Sequence, residues 1–273
     1  MNQAVPFDRV AESLLAFWAE AGVDAMLHDT PVDRIEAGKF VPATPPEKKP
    51  LAAPPPQQPR AGAGPDVAGA IAQARQLAAA AGDLEALKAA IAGFDGCSLK
   101  FEGARQAVFG RGAADAPLLV IGEGPGPEED ARGEPFVGRA GQLLDRMLAG
   151  AGLSGRVFIT NTVFWRPPGN RPLSAQEQAV CQPFVERAIE LISPKMLLLV
   201  GAPSAKAMLK RDEGILSMRG RWFEWRSESG NLELPAMPTL HPAFLLRQPA
   251  AKKKAWSDLL TLTERLDRPD RGA

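Results

Sequence analysis

The chain has 273 residues, 45% of them apolar, with Lys+Arg and Asp+Glu equal at 32 each. That length allows one large domain or two small ones, and a formal net charge of zero argues against a generic polyanion binder. No run approaches the roughly 18 consecutive apolar residues of a membrane span. Residues 1–9 lack the basic, apolar and cleavage regions of a signal peptide. Two cysteines, Cys97 and Cys181, make no disulfide framework, which points to the reducing cytoplasm.

Residues 7–27 have helical spacing, with Val10, Leu14, Phe17, Trp18 and Ala21 on one stripe. Nine prolines between Pro42 and Pro65 predict an extended linker. Helical patterns resume at 67–81 and 84–92, with Asp83 as N-cap of the second. Strands and helices then alternate. Strands are predicted at 107–109, 118–122, 157–160, 195–200, 222–225 and 236–239. Helices are predicted at 141–150, 174–192, 204–210 and 252–266, and Ser174 with Glu177 forms a capping box. The organisation is an N-terminal helical segment (1–40), a Pro/Ala-rich linker (41–66), a helical lead-in (67–93), a catalytic domain (94–267) and a tail (268–273). The alternation predicts a three-layer α/β/α domain with a mostly parallel central sheet.

Charge is unevenly distributed. Residues 84–154 carry seven basic and ten acidic side chains, residues 155–256 fifteen and eight. The basic half, with Arg166, Arg171, Arg219, Arg221, Arg247 and three lysines at 252–254, suits a phosphate backbone. Three islands each follow an apolar strand: Gly122-Glu-Gly-Pro-Gly126, Asn161 with Arg166-Pro-Pro-Gly-Asn-Arg171, and His241-Pro-Ala-Phe-Leu-Leu-Arg247. In such sheets ligands bind beyond the strands' carboxyl ends, so all three are expected at one rim.

Together with Glu129-Asp130, Pro135-Phe-Val-Gly138, Ala140-Gly-Gln-Leu-Leu144 and Gly201-Ala202, these islands resemble the uracil-DNA glycosylase superfamily, and within it the family-four branch. The resemblance covers about residues 94–266 and implies hydrolysis of the N-glycosidic bond of uracil in DNA after base flipping. It implies that Phe136 stacks under the flipped base, that the Asn161 amide pairs with uracil O4 and N3–H, and that Gly124 and its neighbours offer backbone N–H groups to O2. His241 then donates to O2 as negative charge develops. Glu123, Glu129 and Asn170 are the candidates for holding the attacking water. Leu245 and Leu246 form a wedge, and Arg166, Arg171 and Arg247 contact phosphate. The other readings are a uracil-DNA-binding module without turnover and a nucleotide-binding α/β protein; the latter lacks the Walker lysine and the Gly-x-Gly-x-x-Gly spacing.

Family-four members carry four cysteines around a four-iron, four-sulfur cluster. Here Phe94 and Trp165 stand at two of those positions, and only Cys97 and Cys181 match the others. Four ligands are needed, so no cluster, no other metal and no cofactor is expected. The expected partner is uracil-containing DNA, bound by a monomer, with no membrane association and no protein partner inferable.

Overall fold

The computed structural model describes residues 66–268. The expected N-terminal helix, the linker up to residue 65 and the end of the tail lie outside the described residues.

Two helices lead in, α1 (Val67–Ala80) and α2 (Leu84–Gly93). Asp66 and Asp83 cap them, each carboxylate accepting from a backbone N–H three residues on at 2.8 Å. There follow β1 (Gly110–Gly112), β2 (Leu118–Gly122), α3 (Pro127–Arg132), α4 (Arg139–Gly150) and β3 (Val157–Asn161). The remainder is α5 (Ala175–Ile192), β4 (Met196–Val200), α6 (Ala202–Leu209), α7 (Ile215–Met218), β5 (Phe223–Arg226), β6 (Glu233–Thr239), α8 (Pro242–Arg247) and α9 (Lys252–Asp267). Ser174 and Glu177 close the predicted capping box at the start of α5.

The strands order β1-β3-β2-β4-β6-β5, the central four parallel and each edge strand antiparallel to its neighbour. Every residue of β2 and β4 is buried, as expected for strands covered on both faces. The two-residue period sorts their side chains. Leu119, Ile121, Leu197 and Leu199 pack with Leu87 and Ile91 of α2 and Val180, Phe184 and Ile189 of α5. Leu118, Val120, Leu198 and Val200 pack with Leu144 and Leu148 of α4 and Leu259 and Leu262 of α9. These are the three layers that the sequence predicts. Ala74 and Ala78 of α1 belong to the first of these clusters, so the lead-in shares the domain's core. Among the described residues no helix is long and apolar enough to cross a membrane.

Two expectations about strands need correction. The first strand falls at Gly110–Gly112, not 107–109. Val108 and Phe109 are buried ahead of it, while glycine at 110 and 112 lets the backbone press on β3. The last strand starts at Glu233, because residues 233–235 pair with β5 as an antiparallel hairpin. The short helices α3, α7 and α8 have 6, 4 and 6 residues, too few to display a helical period in sequence.

The parallel strands bring the residues after Gly122, Asn161, Val200 and Thr239 to one rim. Below it lies an aromatic group in which the fully buried Phe94 ring meets Phe184 edge-on at 5.1 Å and Trp165 at 6.4 Å between centroids. Phe94→Ala should cost about 3–5 kcal/mol of unfolding free energy, measured by urea denaturation; a loss under about 1 kcal/mol would show that the ring is not closely packed.

Candidate active site

At the rim lies a cleft of about 690 Å³ bordered by all three loops, with Glu123, Phe136, Asn161, Asn170, His241 and Arg247 among its walls. Gly122 and Asn161 are direct neighbours across the β2–β3 ladder. A Cβ at Gly122 would overlap both Asn161 Oδ1 and the Phe136 ring, so glycine there lets amide and ring share one wall. Asn161 is 1% exposed, and neither Oδ1 nor Nδ2 has a hydrogen-bond partner. Leaving such a buried polar group unsatisfied costs about 1–3 kcal/mol.

Phe136 is buried and adopts φ 54°, a left-handed conformation unusual for an aromatic residue. Such strain is of order 1–3 kcal/mol and persists only where the surroundings impose it. Glu129 supplies part of the restraint. Its carboxylate accepts from the N–H of Val137 and Gly138 at 3.0 Å each, and from Gly126 at 3.1 Å. Glu129 thus joins the first island to the Phe136 loop, and its oxygens are already occupied by backbone donors. Glu123 is different: half-buried on the cleft wall, its carboxyl is pushed above its ordinary value by desolvation.

His241 caps α8. Its Nδ1 accepts from the Ala243 N–H at 3.1 Å, which leaves the proton of the neutral ring on Nε2. Burial, reinforced by the nearby Arg247 charge and opposed by Glu129, lowers its pKa to about 4. The ring lies 5.8 Å from the Phe136 centroid. Behind it, Gly201 at φ +92° would place a Cβ 3.1 Å from the His241 Cβ. Gly201, Leu173 and Phe244 also line the cleft. The sequence signal for Gly201 is its place directly after the buried strand β4.

Phe136, Asn161 and His241, which the sequence places on separate loops, therefore border one cavity, as do Gly124 and Asn170. Leu245 does not: it is fully buried with Leu143, Leu240 and Ala255, because α8 turns that position inward. Of the two leucines expected to form a wedge, only Leu246 is exposed, beside the exposed Arg247. Arg166 and Arg171 are engaged within the protein. Arg166 Nε donates to Asn170 Oδ1 at 2.9 Å. Arg171 binds both oxygens of Glu177 at 2.6 and 3.0 Å and Glu102 at 3.1 Å, and the fork holds the Glu177 carboxyl below its ordinary value.

The cluster implied by the resemblance does not fit the residues present. Cys97 and Cys181 are fully buried free thiols, and burial pushes the Cys181 thiol well up. Phe94 and Trp165 fill the other two positions with rings that cannot ligate iron. Among the described residues no group of three or more His, Cys, Asp or Glu is placed to hold a metal ion.

Residues 109–260 match the family model described as the uracil DNA glycosylase superfamily. The chain is 37% identical over 183 residues to a type-4 uracil-DNA glycosylase of Pyrobaculum aerophilum, covering 65% of this chain and 91% of that protein. It is 34% identical over 194 residues to the type-4 enzyme of Sulfurisphaera tokodaii, covering 69% and 87% respectively. With that of Thermotoga maritima it shares 39% identity over 142 residues, 51% of this chain and 71% of the relative. A family match over more than half the chain, on the strands and loops that build the cleft, makes this protein a member of the uracil DNA glycosylase superfamily.

Proposed function

We propose that the protein is a monofunctional uracil-DNA glycosylase, hydrolysing the N-glycosidic bond of uracil in DNA and so starting base-excision repair. The observation that carries this reading is the buried, unpartnered Asn161 amide facing a cleft shared with Phe136 and His241. Uracil offers an acceptor at O4 beside a donor at N3–H, the complement of one carboxamide; cytosine presents a donor, its N4 amino group, at the first position and an acceptor, N3, at the second. Phe136 supplies the stacking face for the extruded base. Breaking the bond leaves negative charge on the base, and the Nε2–H of neutral His241 is the donor aimed at O2. A neutral donor suits the task, because it stabilises the charge as it forms without handing its proton over beforehand.

Glu123 is the carboxylate we assign to the attacking water: its raised pKa makes it the better proton acceptor, and it lines the cleft. Glu129 organises the loops, and Asn170, tied to Arg166, shapes the wall. Leu246 takes the space vacated by the base and Arg247 meets phosphate. Among the described residues the cleft lining carries no lysine. The enzyme acts as a cytoplasmic monomer and without an iron–sulfur cluster, the aromatic packing of Phe94 and Trp165 joining the segments that a cluster would bridge.

A labelled uracil-containing oligonucleotide, incubated with the protein and then with alkali, should be cut at the uracil. Binding without cutting would favour the module that lacks turnover. His241→Ala and Asn161→Ala should each lower the single-turnover rate about 10²–10³-fold, and a rate near wild type would remove that residue from the mechanism.

His241 should stay neutral down to about pH 4, against 6.5 for a free imidazole. Its depressed pKa means that the stability gained by burying it neutral is complete above pH 6.5. That stability is lost as pH falls through 6.5 toward 4, where the unfolded chain binds the extra proton. NMR titration of the His241 ring checks this; a midpoint near 6.5 would contradict the neutral donor.

Purified protein should contain no stoichiometric iron and show no broad absorption near about 400 nm, the charge-transfer region of thiolate-bound iron clusters. Finding both would restore the cofactor.

A further inference from the structure

Phe136 sits in a backbone conformation it would not adopt alone, and part of its restraint comes from outside the cleft. We propose that Arg111 is a positioning residue for the reaction, its guanidinium locking both peptide planes that flank the Phe136 Cα. This rests on the reading of Phe136 as the base platform.

Arg111 is the only side chain of β1 that is not a glycine. A Cβ at Gly110 would overlap the Phe158 ring, and one at Gly112 the Val157 carbonyl, so the strand lies close against β3 and extends one long arm. The Nε of that arm donates to the Pro135 carbonyl at 2.8 Å, and Nη2 donates to the Phe136 carbonyl at 3.1 Å. Those two oxygens belong to the peptides immediately before and after the Phe136 Cα. Fixing both planes fixes φ and ψ together, and with them the direction of the Cα–Cβ bond that carries the ring. Glu129 holds the next two N–H groups from the other side.

The arm is itself oriented. Nη2 also meets Asp145 of α4 at 2.7 Å, and the Arg111 side chain is 26% exposed. Gly141, in the first turn of α4, has no room for a Cβ against the Phe136 carbonyl, so helix and turn are in direct contact. Arg111 does not border the cleft. Its influence on a bound base therefore runs through Phe136. A planar fork is required for this arrangement, since a lysine ammonium is a single point that does not reproduce two donors held at fixed geometry.

Arg111→Lys keeps the charge beside Asp145 and removes the fork. Expected results are a fall in single-turnover uracil release of about 10–100-fold, a matching rise in the inhibition constant for free uracil, and unchanged affinity for undamaged DNA. The melting temperature should remain above the assay temperature. In a Phe136→Ala background the same substitution should alter the rate by less than about twofold, because a residue acting through the ring has nothing left to position. The proposal falls if Arg111→Lys keeps wild-type rate and uracil inhibition, if its effect is the same with and without the Phe136 ring, or if the variant melts below the assay temperature, which would make Arg111 a residue of the fold alone. A wild-type protein that releases no uracil would instead overturn the glycosylase reading, and that result precedes any variant.

Discussion

The rim of this domain depends on one close approach. Gly122 ends the central strand β2 without a side chain, and the space a Cβ would fill holds the Asn161 amide and the edge of the Phe136 ring. Any larger residue there would push the Asn161 amide and the Phe136 ring apart. The same economy of space recurs at Gly141 against Phe136 and at Gly201 against His241. Three side chains from three loops come together because the backbone beneath each is stripped to hydrogen.

Electrostatics place a second demand on the site. A protein that binds DNA benefits from positive charge, yet a positive field near a histidine also resists its protonation. Arg247, exposed at the edge of the cleft, adds its charge to burial in keeping His241 neutral. The Ala243 N–H then selects the tautomer, because Nδ1 is occupied as an acceptor and the proton faces the other way. Glu129, negatively charged and nearby, is turned toward backbone N–H groups, which uses its charge to hold loops together.

Below the cleft, the segments around Phe94, Trp165 and Phe184 meet in a buried aromatic group. These rings tie the chain before β1 and the loop after β3 to α5 with broad area and edge-to-face contacts. Arg171, bridging Glu102 and Glu177 close to this group, adds an ionic link between the same regions. Its guanidinium makes these links while also lining the cleft.

The layered sheet and its long helices were legible in the chain because continuous apolar runs such as Leu118–Gly122 and Met196–Val200, and the capping box at Ser174, are local signals. Asn161 and His241 were legible too, since each lies at the carboxyl end of an apolar strand, and Phe136 through the resemblance carried by Pro135-Phe-Val-Gly138. Helix phase over a single turn was not: Leu245 and Leu246 are neighbours in sequence, and only packing against Leu143 and Leu240 shows which one is withdrawn. Nor could the sequence reveal which charged groups are already paired, as with Arg166 and Arg171, or that Arg111 reaches Pro135 and Phe136 across 24 and 25 positions. Periodicity and capping act over a few residues and are written in order along the chain. Burial, pairing and room for a Cβ depend on atoms brought close by folding, and those the tertiary structure alone decides.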